Sequence, residues 1–167
     1  MLQLTEAISS CRFEATDAIA DEIVLMKILR LLKYCYNHGL LRDSVSNESI
    51  YSVYRTGFTI CFQMRLSENL RRYAEMWLQD AVVELFVVAK TVREKLIADL
   101  LNHLISLIKL NDLKTNTKVR IISASLICKM LEVGLPFMIK NSYLLNIVAD
   151  DLCRNLIQVI LLVNSRA

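Results

Sequence analysis

SNESIYSVYRTGFTICFQMRLSENLRRYAEMWLQDAVVELF, residues 46–86, decides the fold. Two helix-start signatures, Ser46-Asn47-Glu48 and Ser67-Glu68-Asn69, each open an apolar stripe. A short side-chain oxygen at such a position accepts from backbone N–H groups that lack an intrahelical partner. The first stripe is Ile50, Val53, Tyr54, Phe58, Cys61 and Phe62; the second is Leu70, Tyr73, Ala74, Trp77, Leu78, Ala81, Val82 and Leu85. Steps of three and four put each stripe on one helical face. The stretch reads as two helices joined by a tight corner at Ser67, an antiparallel pair that must bury itself against neighbours.

Upstream, Leu2 to about Cys11 can form a short helix with Leu4, Ala7 and Ile8 inward. Thr16 or Asp17 caps the next, with Asp21 and Glu22 in its first turn, where the helix dipole favours negative charge. The body Ile23–Leu32 is apolar almost all round, which predicts a central element, and Gly39 supplies its stop. Lys27 and Arg30 are the charges in that body. A lone ammonium on an apolar helix must snorkel to water or meet a carboxylate across an interface.

Downstream, Thr91-Val92-Arg93-Glu94 fits a capping box, opening a helix with Leu96, Ile97, Leu100, Leu101, Leu104, Ile105 and Ile108 inward. Asn111–Asn116 is a polar loop. Asn116 or Thr117 starts another helix through Ile121, Ile122, Ala124, Leu126, Ile127, Met130 and Leu131, closed by Gly134 and Pro136. A last helix from about Ser142 carries Leu144, Leu145, Ile147, Val148, Leu152, Cys153, Leu156, Ile157 and Ile160, with Asp150, Asp151, Arg154 and Asn155 on its solvated face. About seven helices with short connections make an all-α fold: antiparallel helix pairs stacked as an armadillo/HEAT-like α-solenoid, with a compact helical bundle as the alternative.

Composition agrees. The 167 residues are enough for one core that hides roughly 70% of the unfolded surface. Three Gly and one Pro nearly exclude phosphate-cradling loops and β-hairpins. The apolar share of 54% and mean hydropathy of +0.39 exceed the about 45–50% apolar content of an ordinary soluble domain, so some surface is expected to be covered by a second copy, a partner or further chain. No uncharged apolar run approaches the roughly 18 residues of a bilayer span, the longest late run being Val159–Val163. No secretory signal is visible, and the chain is expected to be soluble or peripheral. Cys11, Cys35, Cys61, Cys128 and Cys153 lie one per predicted helix without C-x-x-C spacing, which fits reduced, buried cytosolic thiols. A net charge of +3 with acids interspersed gives no nucleic-acid stripe.

Catalytic motifs are absent. His38 and His103 have no H-E-x-x-H or C-x-x-C companion, and no G-x-S-x-G, Walker loop or G-x-G-x-x-G occurs. The acid pairs Asp21-Glu22 and Asp150-Asp151 are adjacent, so on a helix they point about 100° apart and suit capping or solvation better than convergent acid–base work. Arg65, Arg71 and Arg72 with Tyr73 and Trp77 could suggest base stacking, but Arg65 suits the end of one helix and the two aromatics belong to a buried stripe. No catalytic residue, cofactor or metal is implied.

The segments Cys11-Arg12-Phe13, Thr16-Asp17, Asp21–Leu29, Asn47-Glu48-Ser49 and Phe58–Glu68 resemble the large Arf guanine-nucleotide exchange factors. The match is to the N-terminal dimerisation and cyclophilin-binding (DCB) domain of the Golgi brefeldin A-resistance (GBF/Gea) subfamily, and Cys61–Glu68 is its most specific run. Leu104–Leu107, Asn116–Val119 and Asp150–Leu156 resemble the start of the homology-upstream (HUS) domain that follows. The resemblance implies a DCB-like region over 1–90 and a HUS-like region over 91–167, in one continuous helical stack. Such proteins also carry an earlier half of the DCB domain, a long linker, an Asn-aromatic-Asp-Cys signature and a downstream exchange domain with its glutamate finger. None of these is visible in these residues, so a fragment, a linker-deleted form or a compact relative is expected, and exchange activity is not assigned to it.

The resemblance further implies a non-catalytic regulatory module, cytoplasmic and peripheral on Golgi or ER–Golgi membranes, that acts in vesicle trafficking. Its implied partners are a second copy of itself, the other domains of the same exchange factor and small GTPases of the Arf/Rab type; nucleic acid is not among them. Residues matching Lys27 and Glu68 are implicated in the family's dimerisation, and a Lys27–Glu68 contact between copies is the expectation. An unrelated helical adaptor or peripheral membrane-binding protein is the alternative.

Overall fold

The computed structural model describes residues 18–37, 46–63, 66–88, 93–109 and 116–164. The fold is all-α, with no strand among the described residues, and the chain divides into two compact units, Met1–Val88 and Ala89–Ala167. The expected opening helix Leu2–Cys11, the Gly39 stop, Arg65 and most of the Asn111–Asn116 loop lie outside the described residues.

The first unit contains α1 (Ala18–Asn37), α2 (Asn47–Phe62) and α3 (Glu68–Val88). Both expected helix starts form. Ser46 Oγ accepts from the Ser49 N–H at 3.2 Å, and Ser67 Oγ accepts from the Leu70 N–H at 3.3 Å. On α3, Leu70, Ala74, Trp77, Leu78, Ala81, Val82 and Leu85 are buried; on α2, Ile50, Val53, Tyr54, Phe58 and Cys61 are buried, joined by Thr56, Gly57 and Ile60. Phe62 is half-buried and stacks on Phe58 with ring centroids 5.9 Å apart. Tyr54 donates its hydroxyl to the Ala81 carbonyl and tilts against Trp77.

Gly57 sets how closely α2 and α3 approach. A Cβ on it would stand 2.7 Å from Trp77 Cζ3 and 2.9 Å from Leu78 Cδ2, closer than carbon atoms can come. The helices meet backbone to ring because this position has no side chain.

α1 is not the central element that its composition predicts. Leu25, Leu29 and Leu32 are buried, whereas Ile23, Val24, Leu31 and Tyr34 are exposed. α3 is the middle helix, packing on α1 and α2. An all-round apolar helix offers more than one possible inward face, and here one is used.

The second unit contains α4 (Glu94–Ile108), α5 (Thr117–Met138), α6 (Ser142–Asn146), a π-helical segment (Ile147–Leu152) and α7 (Cys153–Asn164). All seven expected core positions of α4 are buried. The Thr91 and Val92 of the expected capping box lie outside the described residues; the described helix begins at Glu94, and Arg93 before it makes no side-chain cap. Leu96 and Ile97 in its first turn are buried. Asn116 does cap α5, its Oδ1 accepting from the Lys118 N–H at 3.0 Å.

α5 runs through Gly134 and Pro136 to Met138. Pro136 lacks an N–H and so leaves the Glu132 carbonyl without its helical donor, but Pro136 and Glu132 are both exposed and water can serve that carbonyl. The inward face of α5 is Ser123, Leu126, Ile127, Met130, Gly134 and Met138; Ile121 is exposed, and Ile122, Ala124 and Leu131 are half-buried. Ser123 Oγ is fully buried without a hydrogen-bond partner.

The final expected helix is three pieces. Leu144, Ile147 and Leu152 are buried, with a step of five between the last two that an α-helix does not make and one wide π turn does. That extra residue turns Cys153, Leu156 and Ile157 outward, against their expected inward place. Asn155 takes the next half-buried position and donates from Nδ2 to the Asp151 carbonyl.

The thiols also divide. Cys61 is buried, and burial, seconded by the Glu75 carboxylate, pushes its pKa up to about 12; Cys128 and Cys153 are exposed, contrary to the buried set expected.

Gly57→Ala forces Trp77 or the helices to move and should cost about 1–3 kcal/mol in urea unfolding. Ser123→Ala removes a desolvated hydroxyl and should leave stability equal or raise it by about 1 kcal/mol in the same titration. With the other cysteines replaced, Cys61 alone should resist a thiol reagent at pH 8 while Cys128 or Cys153 alone reacts at once. Because the native thiol holds its proton to about 12 and the unfolded one ionises near 9.0, Cys61 favours unfolding progressively as pH rises through that window.

Candidate interaction surface

α1 and α3 lie side by side and run in the same direction, as three cross-links show. Glu22 Oε1 accepts from the Ser67 N–H at 2.5 Å. The Arg30 guanidinium stands 5.9 Å from the Tyr73 ring centroid. Lys33 Nζ donates to Asp80 Oδ2 at 2.6 Å, a hydrogen bond and charge that raise the lysine pKa. Exposed pairs of this kind add little stability, but together they fix the register of α1 on α3.

Glu22 does more than the sequence suggests. It places a carboxylate at the N-terminus of α3, where unsatisfied N–H groups and the helix dipole favour an anion. The expected role was in the first turn of its own helix. The partner lies 45 residues away, so no local pattern announces it.

With its inner face on α3, α1 turns Ile23, Val24, Leu31 and Tyr34 outward, each 45–56% exposed, with exposed Lys27 among them. Lys27 thus reaches water within one chain. Glu68, at the start of α3, is also exposed and accepts from Arg72 Nη2 at 2.9 Å. The two do not pair within the chain. They do share one end of the unit: Glu68 follows the Ser67 that Glu22 caps, and Lys27 lies five residues beyond Glu22 on α1.

The remaining candidates do not converge. Trp77 is buried against Gly57 and cannot stack on a base, and Tyr73 faces Arg30. His103 is half-buried on α4, and His38 lies outside the described residues. No group of three His, Cys, Asp or Glu could hold a metal among the described residues. Asp150 and Asp151 are exposed on the π turn. An open groove of about 310 Å³ beside them is lined by Ala149, Asp150, Cys153, Arg154, Ile157 and Gln158, all from one continuous stretch. It lacks the enclosure and the opposed groups that acid–base or covalent chemistry needs.

No protein-family profile matches the chain. Individual relatives do. An uncharacterized protein of Schizosaccharomyces pombe is 36% identical over 95 residues, 57% of this chain and 6% of its own length. ARF guanine-nucleotide exchange factor 1 of Saccharomyces cerevisiae is 35% identical over 98 residues, 56% of this chain and 7% of its own length. The Arabidopsis thaliana ARF guanine-nucleotide exchange factor GNOM is 35% identical over 80 residues, 47% of this chain and 5% of its own. The chain therefore spans only a small part of these relatives, and over about half of its length it is similar in sequence to Arf guanine-nucleotide exchange factors.

Proposed function

We propose that this chain is a non-catalytic regulatory and dimerisation module of an Arf guanine-nucleotide exchange factor, with a DCB-like first part and the start of a HUS-like second part, each built of armadillo/HEAT-like helix pairs. The observation that carries this reading is the outer face of α1, an apolar strip with Lys27 in it that the chain's own described helices leave open. Similarity to exchange factors supplies the context. In this reading a second copy covers that strip and Lys27 meets the partner's Glu68. The ammonium, lone on its helix face, gains a carboxylate, and the apolar side chains around it leave water. The further partners are the exchange factor's other domains and small GTPases of the Arf/Rab type, on the cytoplasmic face of Golgi or ER–Golgi membranes.

Light scattering of the full chain tests the contact. The wild-type chain should be dimeric at micromolar concentration. Lys27→Glu or Glu68→Lys should weaken the dimer by about tenfold or more, and the double reversal should restore it. Arg72→Gln, which removes only the intrahelical partner of Glu68, should leave it intact. A monomeric wild type, or a dimer indifferent to both reversals, overturns the reading.

A further inference from the structure

The second unit differs in charge from the first. Residues 89–167 hold eleven Lys and Arg against six Asp and Glu, while residues 1–88 hold nine against eleven. Its longest helix is also more apolar than its core requires. By length and composition α5 could cross a membrane, yet only 33% of its most apolar window is buried.

The C-terminal end of α5 and the turn beyond it carry three exposed apolar side chains. Leu135 and Ile139 lie one turn apart, joined by the Ile139 N–H to Leu135 carbonyl bond at 3.0 Å, and are 44% and 58% exposed. The chain then turns sharply through Lys140 and Asn141, and Tyr143, 59% exposed, opens α6. Pro136 and Lys140 are exposed at the same corner.

We propose that this corner, Leu135, Ile139 and Tyr143 with Lys140, inserts into the interfacial zone of an anionic lipid bilayer. The residue types are those an interface rewards. Two aliphatic side chains form the wedge, a tyrosine combines an apolar ring with a polar tip, and a lysine can lay its stem on apolar surface with its ammonium among headgroups. The positive charge of the unit draws it towards anionic lipid.

The backbone is suited as well. The N–H groups of Ile139, Lys140 and Asn141 bond to the carbonyls of Leu135, Phe137 and Met138, and those of Leu144 and Leu145 bond to Asn141. Pro136 has no N–H at all. These five donors therefore do not need water when the corner enters the interfacial zone, where headgroup water still serves the Glu132 carbonyl that Pro136 orphans. A protein partner fits less well, because three large apolar side chains at one turn fall short of the roughly 800 Å² that each side of a stable complex contributes.

Flotation of the full chain with phosphatidylcholine vesicles, with and without phosphatidylserine, tests this independently of dimerisation through Lys27. The wild type should float with phosphatidylserine-containing vesicles and scarcely with phosphatidylcholine alone. Ile139→Glu, and separately Tyr143→Ser, should reduce the bound fraction about tenfold with helicity unchanged by circular dichroism. Ile121→Glu, at a 63% exposed position on the same helix outside the corner, should leave binding intact. Lys140→Glu should weaken binding only where phosphatidylserine is present. Absence of wild-type flotation, equal flotation on neutral vesicles, or equal loss with Ile121→Glu overturns the proposal. So does an Ile139→Glu variant that converts a dimer to monomer in light scattering, which would make the corner a protein interface.

Discussion

The first unit depends on one close approach: the Trp77 ring against Gly57. With no Cβ in the way, α2 comes near enough to α3 for the Tyr54 hydroxyl to reach the Ala81 carbonyl. A large aromatic is thereby buried with its neighbour's polar end satisfied, which combines burial with a hydrogen bond that would otherwise be missing. The remaining face of α3 is then free for α1, and the polar cross-links from Glu22, Arg30 and Lys33 set where α1 rests. The open strip around Lys27 is a consequence of that placement, since a helix apolar all round and covered on one side must show its other side.

Much of this was legible in the residues, for identifiable reasons. The caps at Ser46, Ser67 and Asn116 were readable because capping is a contact between a side chain and the N–H two or three residues on. The stripes of α2, α3 and α4 were readable because polar residues interrupt them at helical spacing. In α1, α5 and the last helical stretch that interruption fails, and the inward face is not legible. In Ile23–Leu32 and Val119–Leu131 apolar residues occur on every side, so periodicity cannot choose the inward face. At Ile147–Leu152 the period itself changes by one residue, and a fixed 3.6 repeat carries Leu156 and Ile157 to the wrong side. Pro136 reads as a stop because proline usually is one; the helix continues at an exposed position, where water can serve the carbonyl of exposed Glu132.

The interaction surface was half visible. Lys27 stood out in the sequence as a charge needing company, and the structure gives it water and an apolar surround. Glu68 was named only through family resemblance, and its neighbourhood with α1 rests on Glu22 reaching Ser67, a contact that sequence spacing cannot reveal. The corner at Leu135–Tyr143 is not legible in the sequence, because Pro136 reads as the end of a helix and the steps of four from Leu135 to Tyr143 run across two helices and the turn between them.

The order of sequence separations carries a consequence for how the first unit assembles. Tyr54 and Ala81 are 27 residues apart, whereas α1 reaches α3 across 45 residues at Glu22 and 47 at Lys33. Closing the shorter loop costs less entropy and gains the Trp77 core, so the α2–α3 hairpin forms first and presents a template on which α1 settles last. Its polar links to α3 are half-exposed and salt-sensitive, while buried Leu25, Leu29 and Leu32 hold it by apolar contact. α1 is therefore the strap of its unit: the helix that displays Lys27 on one side closes the exposed flank of α3 with the other.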